Sequence, residues 1–172
     1  MKYKIFINDV YAGNITSVLN ENENLLEWKY IQKSVIGNIK IKAIFNNDLI
    51  IKHLNYEYIN GNNSYVCDIE LKDKKDYYEY IINNELYISY KPIIIQEMLF
   101  LYSDIKWIEE GILYDIKNNN FQLINCKKLL NKIIILGPIH YIILLDIDSN
   151  VETVNNVYTG LRINIDKNEK KY

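Results

Sequence analysis

Short segments of alternating apolar and polar residues, separated by Asn-rich turns, constrain this chain more than any other feature of its sequence. In segment 64–71, apolar side chains fall on every second position, and Asp68 and Glu70 lie between them. Such alternation is typical of a strand with one buried and one solvated face. Asn60-Gly61 precedes the segment, and Asn-Gly between alternating segments indicates a tight hairpin. The sequence therefore predicts a meander of antiparallel strands.

Strand patterns continue along the rest of the chain. Asn8-Asp9 marks a turn after the first strand, and the segment 25–36 fits either a strand or a helix face. The alternation of Trp28 and Tyr30 within it favours the strand. Segments 133–136 and 139–147 are continuous apolar runs, which predict central strands covered on both faces.

Residues 93–109 carry the strongest helical pattern. Their apolar residues recur at steps of four and three, the spacing of one buried stripe: Ile94, Met98, Leu101, Ile105 and Ile108. Gln96 and Glu97 fall outside that stripe. Shorter helices are expected at 73–84, closed by Asn83-Asn84, and as one turn at 127–131.

The predicted fold class is therefore α+β. It consists of a mostly antiparallel, strand-rich sheet with one long amphipathic helix at about 93–109 and one or two short helices. We expect a single globular domain over 1–165, followed by a charged, frayed C-terminal tail over 166–172.

Composition narrows the class of protein. The chain has 172 residues, 49% of them hydrophobic, and a formal net charge of −2. The absence of a basic excess argues against a non-specific nucleic-acid binder. No apolar run reaches about 18 residues, so no membrane contact is expected. Cys67 and Cys126 are too few for a disulfide framework, which together with the lack of a signal-peptide pattern predicts a soluble, cytoplasmic protein.

Residue usage is skewed in a way that bears on the aromatic residues. Ile, Asn, Lys and Tyr dominate, and Arg162 is the single arginine. Codons for the abundant residues are rich in A and T, which indicates an AT-rich genome, such as that of a low-GC bacterium, a phage or a large DNA virus. Codon bias accounts for most of the 16 tyrosines, although tyrosine is also enriched at protein interfaces.

Two carboxylates at the end of an apolar run form the most suggestive chemical pattern. Asp146 and Asp148 follow the apolar residues 142–145, and their spacing puts both on one face of a strand. Such a pair can hold a divalent cation together with phosphate oxygens. This seven-residue pattern resembles the first motif of haloacid-dehalogenase-type phosphatases and the Asp-x-Asp of nucleotide-sugar glycosyltransferases. Solvated strand ends also favour Asp.

Other catalytic arrangements are incomplete. His53 and His140 lie in strand-like segments, but neither has a Ser or Thr two residues later, as two-histidine phosphoesterases require. The glycines stand singly, so there is no Gly-rich phosphate loop. No cofactor is expected. Arg162 lies beside Tyr and Gly residues, where a hairpin with a surface arginine or an anion contact is possible.

The lack of a catalytic set favours a binding role. We predict a non-enzymatic inhibitor or immunity-type accessory protein that occludes another protein. Arg162 and a stretch crowded with Tyr and carboxylates are its candidate binding residues: Tyr56, Tyr58, Asp68, Glu70, Tyr77, Tyr78 and Glu79. One alternative is a metal-dependent phosphoryl-transfer or phosphate-ester enzyme that uses Asp146 and Asp148. A second alternative is a domain that sequesters a nucleotide signal by tyrosine stacking.

Overall fold

The computed structural model describes residues 1–22, 24–101, 110–137, 140–148 and 151–166. These residues form one mostly antiparallel sheet and a single six-residue 3₁₀ helix, Gln96–Leu101. The strands, in chain order, are β1 Lys2–Ile7, β2 Val10–Asn22, β3 Leu25–Ser34, β4 Asn38–Phe45, β5 Ile51–Asn60, β6 Asn63–Asp73, β7 Tyr78–Ile82, β8 Glu85–Ser89, β9 Ile93–Ile94, β10 Glu110–Asp115, β11 Asn120–Leu129, β12 Lys132–Leu136, β13 Tyr141–Leu145, β14 Val151–Asn156 and β15 Leu161–Ile165.

The two ends of the chain meet in the middle of the sheet. The strand order is β8-β7-β6-β5-β4-β3-β2-β1-β15-β14-β13-β12-β11-β10-β9. Neighbours are antiparallel except for β9 and β10, which run parallel. β1 lies between β2 and β15, with Ile5 opposite Ile163. This pairing joins two meanders into one sheet.

The sheet is so strongly curved that its two ends approach each other. The ring of Tyr87 on β8 lies 5.1 Å from the ring of Phe121 on β11. The backbone N–H of Ile93 on β9 donates to the hydroxyl of Tyr80 on β7 at 3.2 Å. These contacts join opposite ends of the sheet through side chains. The fold is therefore a nearly closed sheet around one interior.

Alternation decides which side chains fill that interior. Along β3, Trp28 and Tyr30 are buried while their neighbours Lys29 and Ile31 are exposed. The indole N–H of Trp28 donates to the Ser17 hydroxyl at 2.8 Å, which satisfies a polar group that the core encloses. The strand expected at 25–36 is thus confirmed.

The α+β prediction was wrong, because nearly all of the described chain is strand. The long helix predicted at 93–109 is replaced over 93–101 by β9 and the 3₁₀ helix; residues 102–109 lie outside the described residues. Ile94, Met98 and Leu101 are buried, as the stripe required. A tight 3₁₀ turn that enters the core also buries residues three or four apart, so spacing alone did not separate the two structures.

The two short helices were also wrong. In 73–84, Tyr80 and Ile82 alternate with Ile81 along β7, and Asn83 and Asn84 adopt positive φ angles of 49° and 70° in the hairpin turn to β8. Asn tolerates this region better than most residues. At 127–131, the chain continues β11 as far as Leu129, where Lys127 pairs with Ile134 and Lys128 with Ile133 of β12.

Several turn and strand predictions are confirmed in detail. Asn8 and Asp9 form the β1–β2 turn with φ of 48° and 66°. The hairpin expected at Asn60-Gly61 exists, but Asn60 still pairs with Asn63, so the turn begins at Gly61, where φ is 59°. β12 and β13 are strands, yet alternate residues such as Ile134 are only half-buried, so the expected cover on both faces is incomplete.

No helix among the described residues has the length and hydropathy needed to cross a membrane. The predicted C-terminal tail, apart from Asp166, lies outside the described residues. The carboxylate of Asp166 pairs with the Lys4 ammonium at 3.2 Å.

Candidate functional site

Three adjoining cavities meet around Ile36 and Gln96, and together we call them the cleft. The central chamber has a volume of about 90 Å³ and lies between the inner face of the sheet and the start of the 3₁₀ helix. A wide arm of about 530 Å³ leads past Tyr141 and Leu161, and a tyrosine arm of about 310 Å³ leads past Tyr56. All three cavities are lined in part by Ile36 and Gln96, so they form one continuous depression.

The wall of the central chamber is mostly apolar. Aliphatic side chains from four strands, the β3–β4 turn and the 3₁₀ helix contribute to it: Ile5, Ile36, Ile39, Leu99, Val154, Leu161 and Ile163. Four polar side chains, Tyr30, Gln32, Gln96 and Glu97, enter the same space, and Tyr141 completes the wall. An apolar enclosure with a few converging polar groups is the usual form of a small-molecule site.

Glu97 is the acidic group of the chamber. The Tyr56 hydroxyl donates to its carboxylate at 3.1 Å. Burial raises the pKa of Glu97 to about 7, more than its hydrogen bonds lower it, and the nearby Asp115 charge raises it further. The carboxyl keeps partial solvent access because it faces the cleft, but protein surrounds it. A carboxyl group that titrates near neutral pH inside a cleft is a candidate functional group.

Tyrosine hydroxyls around Glu97 stay protonated. Burial, followed by the Glu97 charge, raises the pKa of Tyr30 and of Tyr56 well above the ordinary value. Burial also raises the pKa of Tyr141 to about 12. These groups are therefore hydrogen-bond donors at neutral pH and do not serve as bases.

A hydrogen-bond chain fixes the floor of the chamber. The Tyr30 hydroxyl donates to Gln32 Oε1 at 2.9 Å, and Gln32 Nε2 donates to Ser34 Oγ at 3.1 Å. Ser34 Oγ donates to the Gly37 carbonyl at 2.8 Å. Because these partners belong to β3 and its turn into β4, the polar groups are oriented by the fold itself before any ligand arrives.

Stacked aromatic rings form the tyrosine arm. The Tyr58 and Tyr65 ring centroids are 4.8 Å apart, and those of Tyr56 and Tyr65 are 5.9 Å apart. The Tyr58 hydroxyl donates to the Ile36 carbonyl at 2.9 Å. Gly37 has a φ of 131°, and a Cβ there would lie 2.4 Å from the Tyr58 ring. Glycine is therefore required for the ring to cover the β3–β4 turn.

The predicted binding residues do not form one patch. Tyr56 and Tyr58 belong to the cleft. The Asp68 carboxylate accepts a hydrogen bond from Asn55 Nδ2 and lies 3.2 Å from His53 Nε2, on the outer face of the sheet. Glu70 is exposed on the same strand.

The remaining predicted residues lie elsewhere. The Tyr77 hydroxyl donates to Glu79 at 3.3 Å, Glu79 pairs with Lys74 at 3.5 Å, and the Tyr78 ring stacks on Tyr80. Arg162 Nη2 pairs with Asp9 at 3.0 Å, and its guanidinium lies over Phe6 at 5.2 Å. The predicted residues therefore divide between the cleft and separate surface positions.

Asp146 and Asp148 lie in the turn after β13. The Asp148 backbone N–H donates to Asp146 Oδ1 at 3.0 Å, a local turn hydrogen bond typical of Asp. Asp148 is exposed, and Asp146 is half-buried. Within the described ranges, no three or more His, Cys, Asp or Glu side chains cluster as a metal site would require. The metal role stays a prediction.

Sequence reasoning missed Glu97, Tyr30, Gln32 and Tyr141. Glu97 was assigned to the polar side of a long helix, while Tyr30 and Tyr141 were treated as strand residues without a role. One feature of the sequence points to Gln96 and Glu97, because they directly follow three consecutive isoleucines, 93–95, whose side chains are fully buried. Asp146 also follows an apolar run, so this feature alone does not separate an enclosed carboxylate from one in an exposed turn.

Comparisons with known proteins give a fold and no activity. No protein-family model matches the chain, and no curated protein matches it. A crystal structure of a DUF1089 family protein from Pseudomonas aeruginosa is similar, with a TM-score of 0.50 and 7% sequence identity over 84% of this chain and 90% of that one. At that identity the likeness concerns the fold alone.

Proposed function

We propose that this protein is a non-catalytic binding domain that holds a small molecule with an apolar body in the cleft. The observation that carries the proposal is the convergence of Tyr30, Gln32, Gln96 and Glu97 on an aliphatic chamber. Burying apolar ligand surface there supplies affinity, and the few polar groups supply orientation.

The chemistry of the cleft suits binding better than catalysis. Glu97 is a carboxyl group with a pKa near 7, and it accepts hydrogen bonds from the Tyr56 hydroxyl and from its own backbone N–H. A nucleophilic mechanism needs an activated nucleophile beside a base, and no Ser, Thr, Cys or Lys is among the described residues that line the central chamber. Tyr30, Tyr56 and Tyr141 hold their protons too tightly to act as nucleophiles or bases.

A nucleotide fits the cleft less well than an uncharged or cationic molecule. Among the described residues that line the cleft, Glu97 and Asp115 are acidic and Lys117 is the one cation. Phosphate groups would be repelled by the two carboxylates. The stacked tyrosines could hold a base, so titration with nucleotides remains a useful comparison.

Calorimetric titration of the natural chain, and of a variant in which a larger side chain fills the cleft, tests the proposal. Naphthylethanol, a neutral compound with an apolar ring system, serves as the probe. We expect saturable binding to the natural chain and loss of at least tenfold in affinity in Ile36→Trp, whose ring would occupy the junction of the cavities. Ile36 is 42% exposed, so the core need not reorganise.

The neighbouring residue supplies the matched control. Val35 is 74% exposed and does not line the cleft, so Val35→Trp should bind the probe as the natural chain does. If the natural chain does not bind the probe, or if Val35→Trp and Ile36→Trp lose binding equally, the proposal is wrong.

A second proposal keeps the inhibitor or immunity role, in which the chain occludes another protein. The outer side of the β7–β8 hairpin supports it, because Leu86 and Ile88 are each 61% exposed and Tyr90 is 82% exposed. Glu79 pairs across the strands with Ile88, so a carboxylate borders this apolar strip. Exposed apolar residues beside charges are typical of a protein interface.

Affinity capture from the native host tests this second proposal. A stoichiometric partner should be recovered with the natural chain and lost with a Leu86→Asp, Ile88→Asp double variant that still folds. Recovery of no partner, or equal recovery with both proteins, would reject it.

We also propose a cytoplasmic location. Cys67 is a buried thiol that forms no disulfide. Burial raises the pKa of the Cys67 thiol to about 11, which keeps it protonated and unreactive. A reduced thiol of this kind suits a reducing compartment. Recovery of the native protein in the membrane or secreted fraction of the producing cells would contradict this.

A further inference from the structure

The charges around the cleft carry an inference about ligand class, which rests on the binding function proposed above. Among the described lining residues of the central chamber and the wide arm, Glu97 is the one acid and there is no lysine or arginine. Lys117 lines only the tyrosine arm, together with Asp115. An anionic ligand would therefore bring its charge towards Glu97 without a cation to meet it.

Glu97 has room for another donor. The Tyr56 hydroxyl uses one carboxylate oxygen, Oε1. A carboxylate accepts about four hydrogen bonds in all. Within the described part of the chain, no Lys, Arg or His side chain forms an ion pair with it. A half-buried carboxylate without a cationic partner in the described part of the chain carries a desolvation cost, and a ligand cation would offset that cost.

The aromatic walls favour the same charge. Tyr30 and Tyr141 line the central chamber, and the stacked Tyr56, Tyr58 and Tyr65 line the adjoining tyrosine arm. The faces of tyrosine rings carry partial negative charge and attract ammonium groups, most strongly where water is excluded. An ammonium group that meets the face of one of these rings would be attracted by both the ring and the carboxylate.

We infer that the ligand is an organic cation, a protonated amine attached to an apolar body, whose ammonium group binds the Glu97 carboxylate from the central chamber. The apolar body lies against Ile36 and extends into one of the arms. The side chains of Gln32 and Gln96 are the neutral hydrogen-bond partners in reach of the same chamber. This class is distinct from a neutral or an anionic ligand of the same shape.

Three probes of matched shape separate ligand class from the existence of a site. Naphthylethylamine, naphthylethanol and naphthylacetate carry the same ring system with a cationic, a neutral and an anionic end. We expect the amine to bind about tenfold more tightly than the alcohol, because a charge-assisted hydrogen bond is stronger than a neutral one. The acetate should bind more weakly than both.

The Glu97→Gln variant tests whether the charge of Glu97 causes the preference for the amine. Gln keeps the shape and removes the charge, so the amine and alcohol affinities should come within about twofold of each other. Asp148→Asn removes an exposed charge outside the cleft and should leave the preference unchanged. As the pH rises through about 7, where Glu97 ionises, amine affinity should increase while alcohol affinity stays constant.

The outcomes distinguish the two claims. Equal binding of amine and alcohol by the natural chain, tighter binding of the acetate, or an amine preference that persists in Glu97→Gln would overturn the cationic-ligand inference and leave the cleft as a binding site. Binding of none of the three probes would overturn both.

Discussion

Glu97 and the pair Asp146 and Asp148 are carboxylates that follow apolar strands, yet the chain places Glu97 at the cleft and the two aspartates in an outward turn. After β9 the chain turns inward, the 3₁₀ helix buries Met98, and Glu97 is enclosed at the cleft. After β13 the chain turns outward, and Ile147 between the two aspartates is fully exposed. The local sequence pattern is similar, so the chemistry depends on the direction in which the chain leaves the strand.

The consequence is a difference in enclosure and in hydrogen bonding. Burial raises the pKa of Glu97 to about 7. Asp146 accepts a hydrogen bond from the Asp148 backbone in an ordinary turn. A carboxyl group enclosed in a cleft is a candidate for ligand binding. Two aspartates two residues apart in a solvated turn are not a candidate site on their spacing alone.

The largest expected effect is on the pH dependence of stability. The folded chain holds the Glu97 proton more tightly than the unfolded chain, in which the pKa is near 4.5. Its contribution to stability is therefore present at low pH and lost as the pH rises through about 7. The difference amounts to at most about 3 kcal/mol, reduced by solvent access through the cleft. Among the described residues, the titratable groups whose charge affects Glu97 or is affected by it are Tyr30, Tyr56, Tyr65, Tyr141 and Asp115, and Lys117 lines the same tyrosine arm.

Urea unfolding at a series of pH values measures this contribution. Between pH values of about 5 and 8, the free energy of unfolding should fall more steeply for the natural chain than for Glu97→Gln. An Asp146→Asn, Asp148→Asn double variant should keep the slope of the natural chain. Equal slopes for the natural chain and Glu97→Gln would show that Glu97 is ionised normally.

Two glycine substitutions, one beside the cleft and one in an exposed turn, compare the stability of the same two kinds of environment. Gly37→Ala must occupy a φ of 131° and meet the Tyr58 ring, whereas Gly61→Ala has a φ of 59° and open space around it. We expect a loss of about 2 kcal/mol for the first and about 1 kcal/mol for the second, measured by chemical denaturation. Equal losses would mean that the Tyr58 contact adds nothing.

Removing one hydroxyl should have a smaller effect. Tyr56→Phe deletes the donor to Glu97, at a cost of about 1 kcal/mol. Because that hydrogen bond lowers the pKa of Glu97, its removal should raise the pKa further. Titration of the Glu97 carboxyl carbon by NMR would detect the shift. Tyr58→Phe, which loses a bond to the Ile36 carbonyl, is the control and should leave that pKa in place.

The smallest effect is expected at the exposed turn. Asn at position 146 can still accept the backbone hydrogen bond, so Asp146→Asn should change stability by no more than about 0.5 kcal/mol. Calorimetric titration with Mg²⁺ should give no saturable heat for either protein. Saturable Mg²⁺ binding that Asp146→Asn abolishes would instead favour the phosphoryl-transfer alternative.

Much of the sheet could be predicted, because the alternation of apolar and polar residues along a strand depends only on neighbouring residues. Alternation around Trp28 and the turns at Asn8-Asp9 and Gly61 is set by neighbouring residues. The 3₁₀ helix was misassigned because burial of Met98 and Leu101 satisfies both a long helix and a short turn that enters the core. The closure of the sheet by Tyr80 and Ile93 could not be predicted, since it joins residues through long-range packing.

The candidate site was harder to predict than the sheet. Its polar groups come from β3, from the residues after β9 and from β13, which meet only when the sheet curls. Tyr56 was identified as a binding residue for a surface role, and the structure buries it beside Glu97 instead. A site assembled from separated strands leaves no contiguous motif in the sequence.

One measurement tests the central claim most directly. Backbone amide shifts of the labelled protein can be followed during titration with naphthylethanol. The account predicts saturable shifts concentrated at Ile36, Gln96, Glu97 and Tyr141. Shifts centred on the outer face near Asp68 and Glu70 or on the turn at Asp146, or no saturable shifts at all, would contradict it.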